Sequence, residues 1–154
     1  DVVLKLSEIM QYVLYDAKGS SIELSKEINY IQSYLELEKL RYGDTIQSNL
    51  SINGNIDDIN VPPLLFLPFI ENCFKHGGNN NNNIVVDINF KKTKEKLLFK
   101  VENNFNTDNK VLTKHGIGIE NVKRRLKLLY NKKFKLKTNI FDDKFIVKLT
   151  LPTQ

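Results

Sequence analysis

Hydrophobic residues recur along the first third of the chain at the spacing of a helix. Apolar residues three and four apart predict one helix over 2–15 and a second over 24–42, with a polar break around Gly19 between them. Ser20 and Glu23 have the spacing of a capping box at the start of the second helix. The pattern therefore predicts a helical hairpin, whose role stays open between core packing and part of a dimerisation or signalling stalk.

Beyond residue 44 the hydrophobic spacing changes to the alternation that is typical of strands. Alternating segments predict strands over 45–53, 56–61, 84–90 and 97–101, and a closing hairpin over 134–151 that turns at Asp142-Asp143. A chain of 154 residues with 41% hydrophobic content suffices for one domain with a sizeable core. The second part of the chain is therefore predicted to build a sheet.

The segment 61–77, VPPLLFLPFIENCFKHG, interrupts these strands with a predicted helix. Its prolines predict a start near Leu64 or Leu65, because proline is tolerated in a first turn but not deeper, and the glycines that follow predict its end. At helical spacing, one arc of this helix carries the hydrophobic residues Phe66, Leu67, Phe69, Ile70, Cys73 and Phe74.

The opposite arc of the same helix is polar and carries Glu71, Asn72, Lys75 and His76. An acid, an amide, a cation and an imidazole on one face can hold a metal ion and a phosphate. They can equally form a solvated face, in which Glu71 and Lys75 are an ion pair of helical spacing. The pattern alone fits both interpretations.

A second candidate for phosphate binding is the glycine pair Gly116 and Gly118, directly before another predicted helix. Free amides at a helix start attract anions, and glycine lets the backbone come close to them. The polar segment 105–115 before the glycines has no clear period and predicts a loop of the kind that often forms a lid. The helix itself is predicted to bury Ile119, Val122, Leu126 and Leu129.

Charge and composition narrow the classes of function. The formal net charge is +5, but residues 1–77 carry −5 and residues 78–154 carry +10. A basic half suits nucleic acid, an anionic membrane or a phosphorylated small molecule. Nucleic acid is disfavoured, since the lysines are spread over several predicted strands without interleaved aromatic residues.

Cys73 is the single cysteine, which excludes an internal disulfide and a cysteine-ligated metal ion. It lies on the apolar arc of its helix, which suits a reducing compartment. No apolar run has the length of a membrane span. The chain begins at Asp1 without a signal-peptide pattern, so we expect a piece of a longer protein.

The order of these motifs is more specific than any one of them. PFIENCFKHG, then VENNFN, then GIGIENVKRRLKLLY resembles the ATP-binding catalytic domain of the GHKL superfamily, and within it the LytS-type sensor histidine kinases. The upstream segments VVLKLSEIMQYVLYD and IELSKEINYIQSYLELEKLRYGD are similar to the helices that follow the phosphoacceptor helix in that family. The resemblance therefore covers nearly the whole chain.

The resemblance implies an α+β fold, a two-layer α/β sandwich of the Bergerat type with a mixed sheet, preceded by the helical hairpin. It also implies two parts. Residues 1–42 would be the hairpin, the C-terminal part of the dimerisation and phosphoacceptor region. Residues 43–154 would be the ATP-binding catalytic domain.

The polar arc resembles the N box of that superfamily. Asn72 matches the asparagine that helps to coordinate the Mg²⁺ ion bridging the ATP phosphates, an ion that prefers oxygen ligands. Lys75 matches a phosphate-binding position, and His76 matches a position near the ribose or the phosphates. The resemblance implies that Glu71 orients a magnesium-bound water, in a catalytic role, or pairs with Lys75.

The two later motifs resemble the G1 and G2 boxes. Asn103 takes the position of an aspartate that accepts a hydrogen bond from the adenine amino group. Gly116 and Gly118 would let the lid 105–115 close over the triphosphate. Arg124, or its neighbour Arg125, would face phosphate.

The resemblance implies a sensor histidine kinase that transfers the γ-phosphoryl of ATP to a histidine in a motif similar to N-P-H-F-L-F-N, and from there to a response regulator. Neither His76 nor His115 stands in that context, so this chain is expected to bind nucleotide without autophosphorylation. The implied cofactors are ATP and Mg²⁺, and the implied partners are a response regulator and a second copy of the kinase, without nucleic acid. The implied location is the cytoplasmic portion of an inner-membrane protein, with membrane contact only through upstream segments.

Departures from the family pattern keep a second function open. Pro68 stands where many relatives carry an acid or amide, Asn103 replaces the aspartate, and the glycines of the G1 box are absent. These residues fit a degenerate domain that has lost ATP use and serves as a protein interaction module. A basic nucleic-acid-binding domain is the third candidate, and it predicts DNA affinity that falls steeply with salt.

Overall fold

A helical hairpin and a two-layer α/β sandwich make up the computed structural model, which describes residues 2–78, 83–105 and 117–153. Its helices are α1 (Val2–Leu14), α2 (Leu24–Tyr42), α3 (Leu67–His76) and α4 (Ile117–Tyr130). Its strands are β1 (Ile22–Glu23), β2 (Ile46–Asn53), β3 (Asn60–Val61), β4 (Ile84–Lys92), β5 (Lys96–Asn104), β6 (Lys135–Phe141) and β7 (Lys144–Pro152). One-turn 3-10 helices cover Asp16–Lys18 and Gly43–Thr45.

Five of the strands form one mixed sheet in the order β2-β4-β5-β7-β6. β2 and β4 are parallel, with Ile46 opposite Ile84, and the other neighbours are antiparallel. A parallel pair needs a crossover connection, which the segment containing α3 provides. The α+β sandwich with a mixed sheet and a preceding hairpin is therefore confirmed.

Aromatic side chains between α3 and the sheet form the centre of the core. Phe66 is fully buried, and its ring lies 5.0 Å from the Phe90 ring and 4.8 Å from the Phe99 ring, measured between centroids. Phe69 extends the cluster from the first turn of α3, 5.9 Å from Phe99. The predicted apolar arc of this helix thus packs on β4 and β5, which leaves the polar arc on the other side.

The start of α3 differs from its prediction. The helix begins at Leu67 instead of Leu64 or Leu65, and Pro68 lies in its first turn. Leu64 has a φ of 56°, which is the left-handed region and cannot belong to an α-helix. The residues before Leu67 therefore form a turn that is held by contacts described below.

The predicted capping box of α2 is also wrong. Glu23 makes no side-chain cap, and α2 begins directly after it at Leu24. Glu23 belongs instead to β1, where it lies opposite Asn60 in a two-stranded ribbon with β3. Of the strand predicted over 56–61, two residues pair in this way, because the ribbon is separate from the main sheet.

The C-terminal elements follow the hydrophobic pattern closely. Asp142 and Asp143 have φ values of 45° and 57°, as a tight two-residue hairpin turn requires. On α4 the residues Ile119, Val122 and Leu126 are buried as predicted. Leu129 is 51% exposed, so its predicted burial is wrong, since the last turn packs Tyr130 against the core instead.

In the described part of the chain, no helix combines the length and apolar character that a membrane crossing requires.

One surface ion-pair group offers a test of how the sheet responds to pH. The Glu102 carboxylate on β5 lies 2.5 Å from the Lys100 ammonium and 3.1 Å from the Lys144 ammonium. The hydrogen bond from Lys100 is the main cause that holds the pKa of Glu102 below its ordinary value; burial opposes it, and the hydrogen bond from Lys144 lowers the pKa further. A carboxyl with a lowered native pKa stabilises the fold above its unfolded pKa and loses that effect as pH falls through the native one.

We therefore expect Glu102→Gln to lower the free energy of unfolding at pH 7 by about 0.5 kcal/mol, a value typical of ion pairs at a protein surface. The difference from wild type should shrink as pH falls below about 4 and disappear below the lowered native pKa, because Glu102 is then neutral in both the folded and the unfolded state. Urea denaturation followed by circular dichroism at several pH values measures this. Glu95→Gln, at an exposed glutamate in the loop before β5, is the matched control. An equal loss at every pH would contradict the ion-pair origin.

Candidate nucleotide site

The polar arc of α3 lies at the surface as the pattern predicts. Glu71 and Asn72 are half-buried, and Lys75 and His76, one turn further, are exposed. The opposite side of the helix is held by the buried Phe74 and its neighbours. Asn72 therefore belongs to a helix that is anchored in the core, and its side chain lies at the protein surface, partly accessible to solvent.

Asn103 is a buried polar residue close to the C-terminal end of this helix. It is 3% exposed and lies within β5, between Val86 of β4 and Phe145 of β7, although the pattern placed it just past the strand. Its Nδ2 donates to the carbonyl oxygen of Asn104 at 2.9 Å. Its Oδ1 has no hydrogen-bond partner among the described residues. The end of β5 therefore presents an unused amide acceptor.

Gly77, the residue directly after α3, lies close to the side-chain amide of Asn103. A Cβ atom at Gly77 would lie 3.0 Å from Asn103 Nδ2 and 2.1 Å from the carbonyl oxygen of Cys73, so a larger residue does not fit. The next amide, that of Gly78, donates to the Asn104 carbonyl oxygen at 3.0 Å. Gly77, the residue after His76, therefore lies close to the side chain of Asn103.

The start of α4 lies against the start of α3. A Cβ atom at Gly118 would lie 3.8 Å from Cβ of Pro68. Pro68 and Asn72 are four residues apart and share a face of α3. The fold thus brings the G2-like Gly118 to within one helical turn of the N-box-like asparagine. Gly116, His115 and residues 106–114 lie outside the described residues.

The two candidate arginines differ in their surroundings. Arg124 is exposed. Arg125 is half-buried, and its Nη1 donates to the carbonyl oxygen of Pro63 at 2.7 Å. Of the two, Arg124 therefore keeps its guanidinium at the surface, whereas Arg125 contacts the turn before α3.

Glu71 lies close to the tyrosines of α2. Burial raises the pKa of Tyr30 to about 12, and the negative charge of Glu71 adds to that effect. Burial and the charge of Glu38 raise the pKa of Tyr34, with a smaller contribution from Glu71. The described residues include no ion pair between Glu71 and Lys75.

Within the described ranges, no three His, Cys, Asp or Glu side chains come together as a potential metal site. The candidate ligand that remains is the Asn72 amide oxygen, a hard donor of the kind that suits Mg²⁺.

Sequence reasoning missed one residue that organises this region, Glu27 of α2. Its side chain is fully buried, and its carboxylate accepts the backbone amides of Leu64 and Leu65. The signal was present in the sequence, because Glu27 falls on the same helical face as Leu24 and Ile31. A carboxylate on the buried face of a helix is tolerated only where hydrogen-bond donors replace the water around it.

The chain is similar to known histidine kinases in sequence and in fold. A family model described as histidine kinase matches residues 1–46. The sensor protein LytS of Oceanobacillus iheyensis is 28% identical over 98% of this chain and 28% of its own length. The sensor histidine kinase/phosphatase LytS of Staphylococcus aureus is 30% identical over 86% of this chain and 25% of its own length. The chain thus spans about a quarter of the length of these curated relatives.

Solved structures share the fold. The catalytic domain of histidine kinase ThkA in a nucleotide-free form has a TM-score of 0.61 at 14% identity, covering 86% of this chain and 94% of that one. ThkA in complex with the response regulator protein TrrA has a TM-score of 0.57 at 12% identity, covering 99% of this chain and 48% of that one. The chain is therefore a relative of the LytS-type sensor histidine kinases, and its fold is that of a histidine kinase catalytic domain.

Proposed function

We propose that this chain binds ATP with Mg²⁺ in the region bordered by α3, the end of β5 and the start of α4. The observation that carries the proposal is the Oδ1 atom of Asn103, which is buried and has no hydrogen-bond partner among the described residues. A buried acceptor without a donor is costly, and a ligand with an amino group would satisfy it. The adenine amino group is such a donor, so we assign Asn103 to adenine recognition.

The polar arc of α3 is assigned to the phosphate end of the nucleotide. When bound, Mg²⁺ would neutralise charge on the phosphate oxygens. Asn72 offers an amide oxygen to that ion, and the exposed Lys75 and His76 offer donors to phosphate. Glu71, the neighbour of Asn72, would orient a water molecule there as the candidate catalytic residue.

The start of α4 is assigned to the same end. The first amides of a helix and its dipole favour a negative group, and Gly118 lets that group approach the backbone. The proximity of Gly118 to Pro68 supports its convergence with Asn72 on one triphosphate. Gly116 and the exposed Arg124 complete the proposed set on the strength of the resemblance.

In the longer protein, the γ-phosphoryl group would pass from ATP to a histidine outside this sequence and then to a response regulator. The complex of ThkA with its response regulator supports a partner of that class for kinases of this fold. Residues 1–42 would belong to the dimerisation and phosphoacceptor region, and residues 43–154 to the ATP-binding domain. We place this region on the cytoplasmic side of a membrane-bound parent.

The surface of α1 supports a homodimer. Its outer side is apolar and exposed: Val3 is 69%, Leu4 61% and Met10 58% exposed. An apolar surface of this kind on a helix usually marks an interaction site, and a second copy related by a two-fold axis would cover it with the same residues.

Isothermal titration calorimetry with ATP and Mg²⁺ tests the nucleotide proposal. The variant Asn103→Leu tests whether Asn103 takes part in binding. We expect wild type to release or take up heat and the variant to bind about tenfold or more weakly, because the acceptor for the adenine amino group is lost. Stability should be retained in the variant, since an unsatisfied buried atom is removed and Gly78 still donates to the Asn104 carbonyl.

The alternative of a protein interaction module is favoured by Pro68 and by the neutral Asn103. It predicts no heat at millimolar nucleotide in wild type, and that outcome would overturn the nucleotide proposal. Equal affinity of wild type and Asn103→Leu would instead remove Asn103 from the site.

A further inference from the structure

The turn before α3 has a backbone conformation that its own sequence does not favour. Leu64 has a φ of 56°, which lies in the left-handed region that residues other than glycine or asparagine rarely adopt. Such a conformation persists where surrounding contacts impose it. Two other parts of the molecule supply those contacts.

The first set of contacts comes from the helical hairpin. Glu27 of α2 accepts the Leu64 amide at Oε2 and the Leu65 amide at Oε1, both at 3.0 Å. The hydroxyl of Tyr12, from α1, donates to the same Oε2. Glu27 is fully buried, so these donors take the place of water around its carboxylate. Both helices of the hairpin thus contact the turn through one side chain.

The second contact comes from α4. Arg125 of α4 donates to the Pro63 carbonyl oxygen at 2.7 Å. Arg125 lies two helical turns after Gly118 on the same helix. The turn is therefore held by the hairpin at its amides and by α4 at its carbonyl.

The turn leads directly into the helix that carries the candidate phosphate ligand. The carbonyl oxygen of Phe66 accepts the amides of Phe69 and Ile70 in the first turn of α3, and Asn72 follows in the next turn. Because a helix is stiff along its hydrogen bonds, a change in the turn would displace the start of α3 and Asn72 together.

We propose that Glu27 is a positioning residue for the nucleotide site, and that the turn at 63–65 couples the hairpin and α4 to Asn72. This inference rests on the proposed function. It adds that the position of the hairpin influences nucleotide affinity through Glu27. Coupling of this kind is reciprocal, so bound nucleotide would also hold the Tyr12–Glu27 contact more firmly.

The first test removes the Tyr12 hydroxyl and leaves the ring, in Tyr12→Phe. We expect amide hydrogen exchange at Leu64 and Leu65 to accelerate about tenfold, and affinity for ATP with Mg²⁺ to fall about fivefold or more. Tyr30→Phe is the matched control. The Tyr30 ring stacks on Tyr12 at 4.3 Å and is buried, but no hydrogen bond joins its hydroxyl to Glu27.

The second test approaches the turn from α4. Arg125→Ala should produce the same two changes as Tyr12→Phe, although the two side chains belong to helices far apart in the chain. Lys123→Ala removes an equal charge from an exposed position on α4 and should leave both readouts within about twofold of wild type, as is usual for surface substitutions.

A third readout needs no nucleotide. In the nucleotide-free protein, Tyr12→Phe and Arg125→Ala should shift the NMR signals of the Asn72 side-chain amide, whereas Lys123→Ala should not. Faster exchange at Leu64 and Leu65 with unchanged Asn72 signals would overturn the proposal, since the turn would then only stabilise the fold. If wild type binds no nucleotide, the proposed function fails, and the Asn72 signals still decide whether the coupling exists.

Discussion

Replacement of Asn72 by alanine is expected to abolish magnesium-dependent nucleotide binding, with a loss of affinity of about a hundredfold or more, comparable to loss of a charge-assisted contact at a metal site. The side chain is half-buried on the polar arc of α3, where it makes no contribution to the apolar core. Its amide oxygen is the candidate Mg²⁺ ligand among the residues placed at the phosphate end. Alanine also favours a helix, so the backbone of α3 should be kept.

Titration of wild type and Asn72→Ala with ATP, in Mg²⁺ and in excess chelator, measures this effect. Wild type should lose affinity when the metal is chelated, and the variant should be weak in both conditions. Asn29→Ala, at an exposed asparagine on α2, is the control for loss of a helical amide. Unchanged affinity in Asn72→Ala, with an intact circular dichroism spectrum, would show that the N-box assignment is wrong.

The largest effect on stability is expected for Phe66→Ala. Phe66 is fully buried, and its ring lies about equally close to those of Phe90 and Phe99, with centroid distances of 5.0 Å and 4.8 Å. Truncation removes the aromatic contact between the start of α3 and two central strands and leaves a cavity that the strands cannot close. Substitutions of this type cost about 3–5 kcal/mol of unfolding free energy.

Urea denaturation monitored by circular dichroism tests that value. Phe141→Ala is the matched control, since Phe141 on β6 is 66% exposed and its loss should change the unfolding free energy by about 0.5 kcal/mol or less. A loss for Phe66→Ala as small as that of the control would contradict the central place of the α3–sheet cluster.

The helical and strand patterns in the sequence predicted much of the fold. The 3.6-residue spacing gave the two helices of the hairpin and the buried side of α4, because amphipathic periodicity reflects which side of an element faces a core. The Asp142-Asp143 turn followed from local chemistry, since short polar side chains tolerate a positive φ. These are properties of neighbouring residues, which a sequence displays directly.

Errors occurred where distant residues decided the local structure. Glu23 has capping-box spacing, but pairing with Asn60 draws it into a strand. Leu64 has ordinary helix propensity, but its amide donates a hydrogen bond to Glu27, and α3 begins at Leu67. In both places a partner far along the chain offered the backbone a hydrogen bond that local spacing cannot display.

The candidate site divides in the same way. The residue pattern and the resemblance together identified Asn72, Asn103 and Gly118 as candidates, but they could not indicate that Asn103 is buried with its carbonyl oxygen unpaired among the described residues, or that Gly118 lies beside Pro68. Those facts depend on how β5 and α4 pack around α3.

The sequence by itself determined the types and order of most elements, the two faces of α3 and the candidate residues for a phosphorylated ligand. The tertiary structure alone decided which of those residues meet and that a buried carboxylate joins the hairpin to the start of α3. The reason is physical: periodicity records the exposure of each residue along one element, whereas hydrogen bonds such as that between Glu27 and Leu65 join residues far apart in the chain.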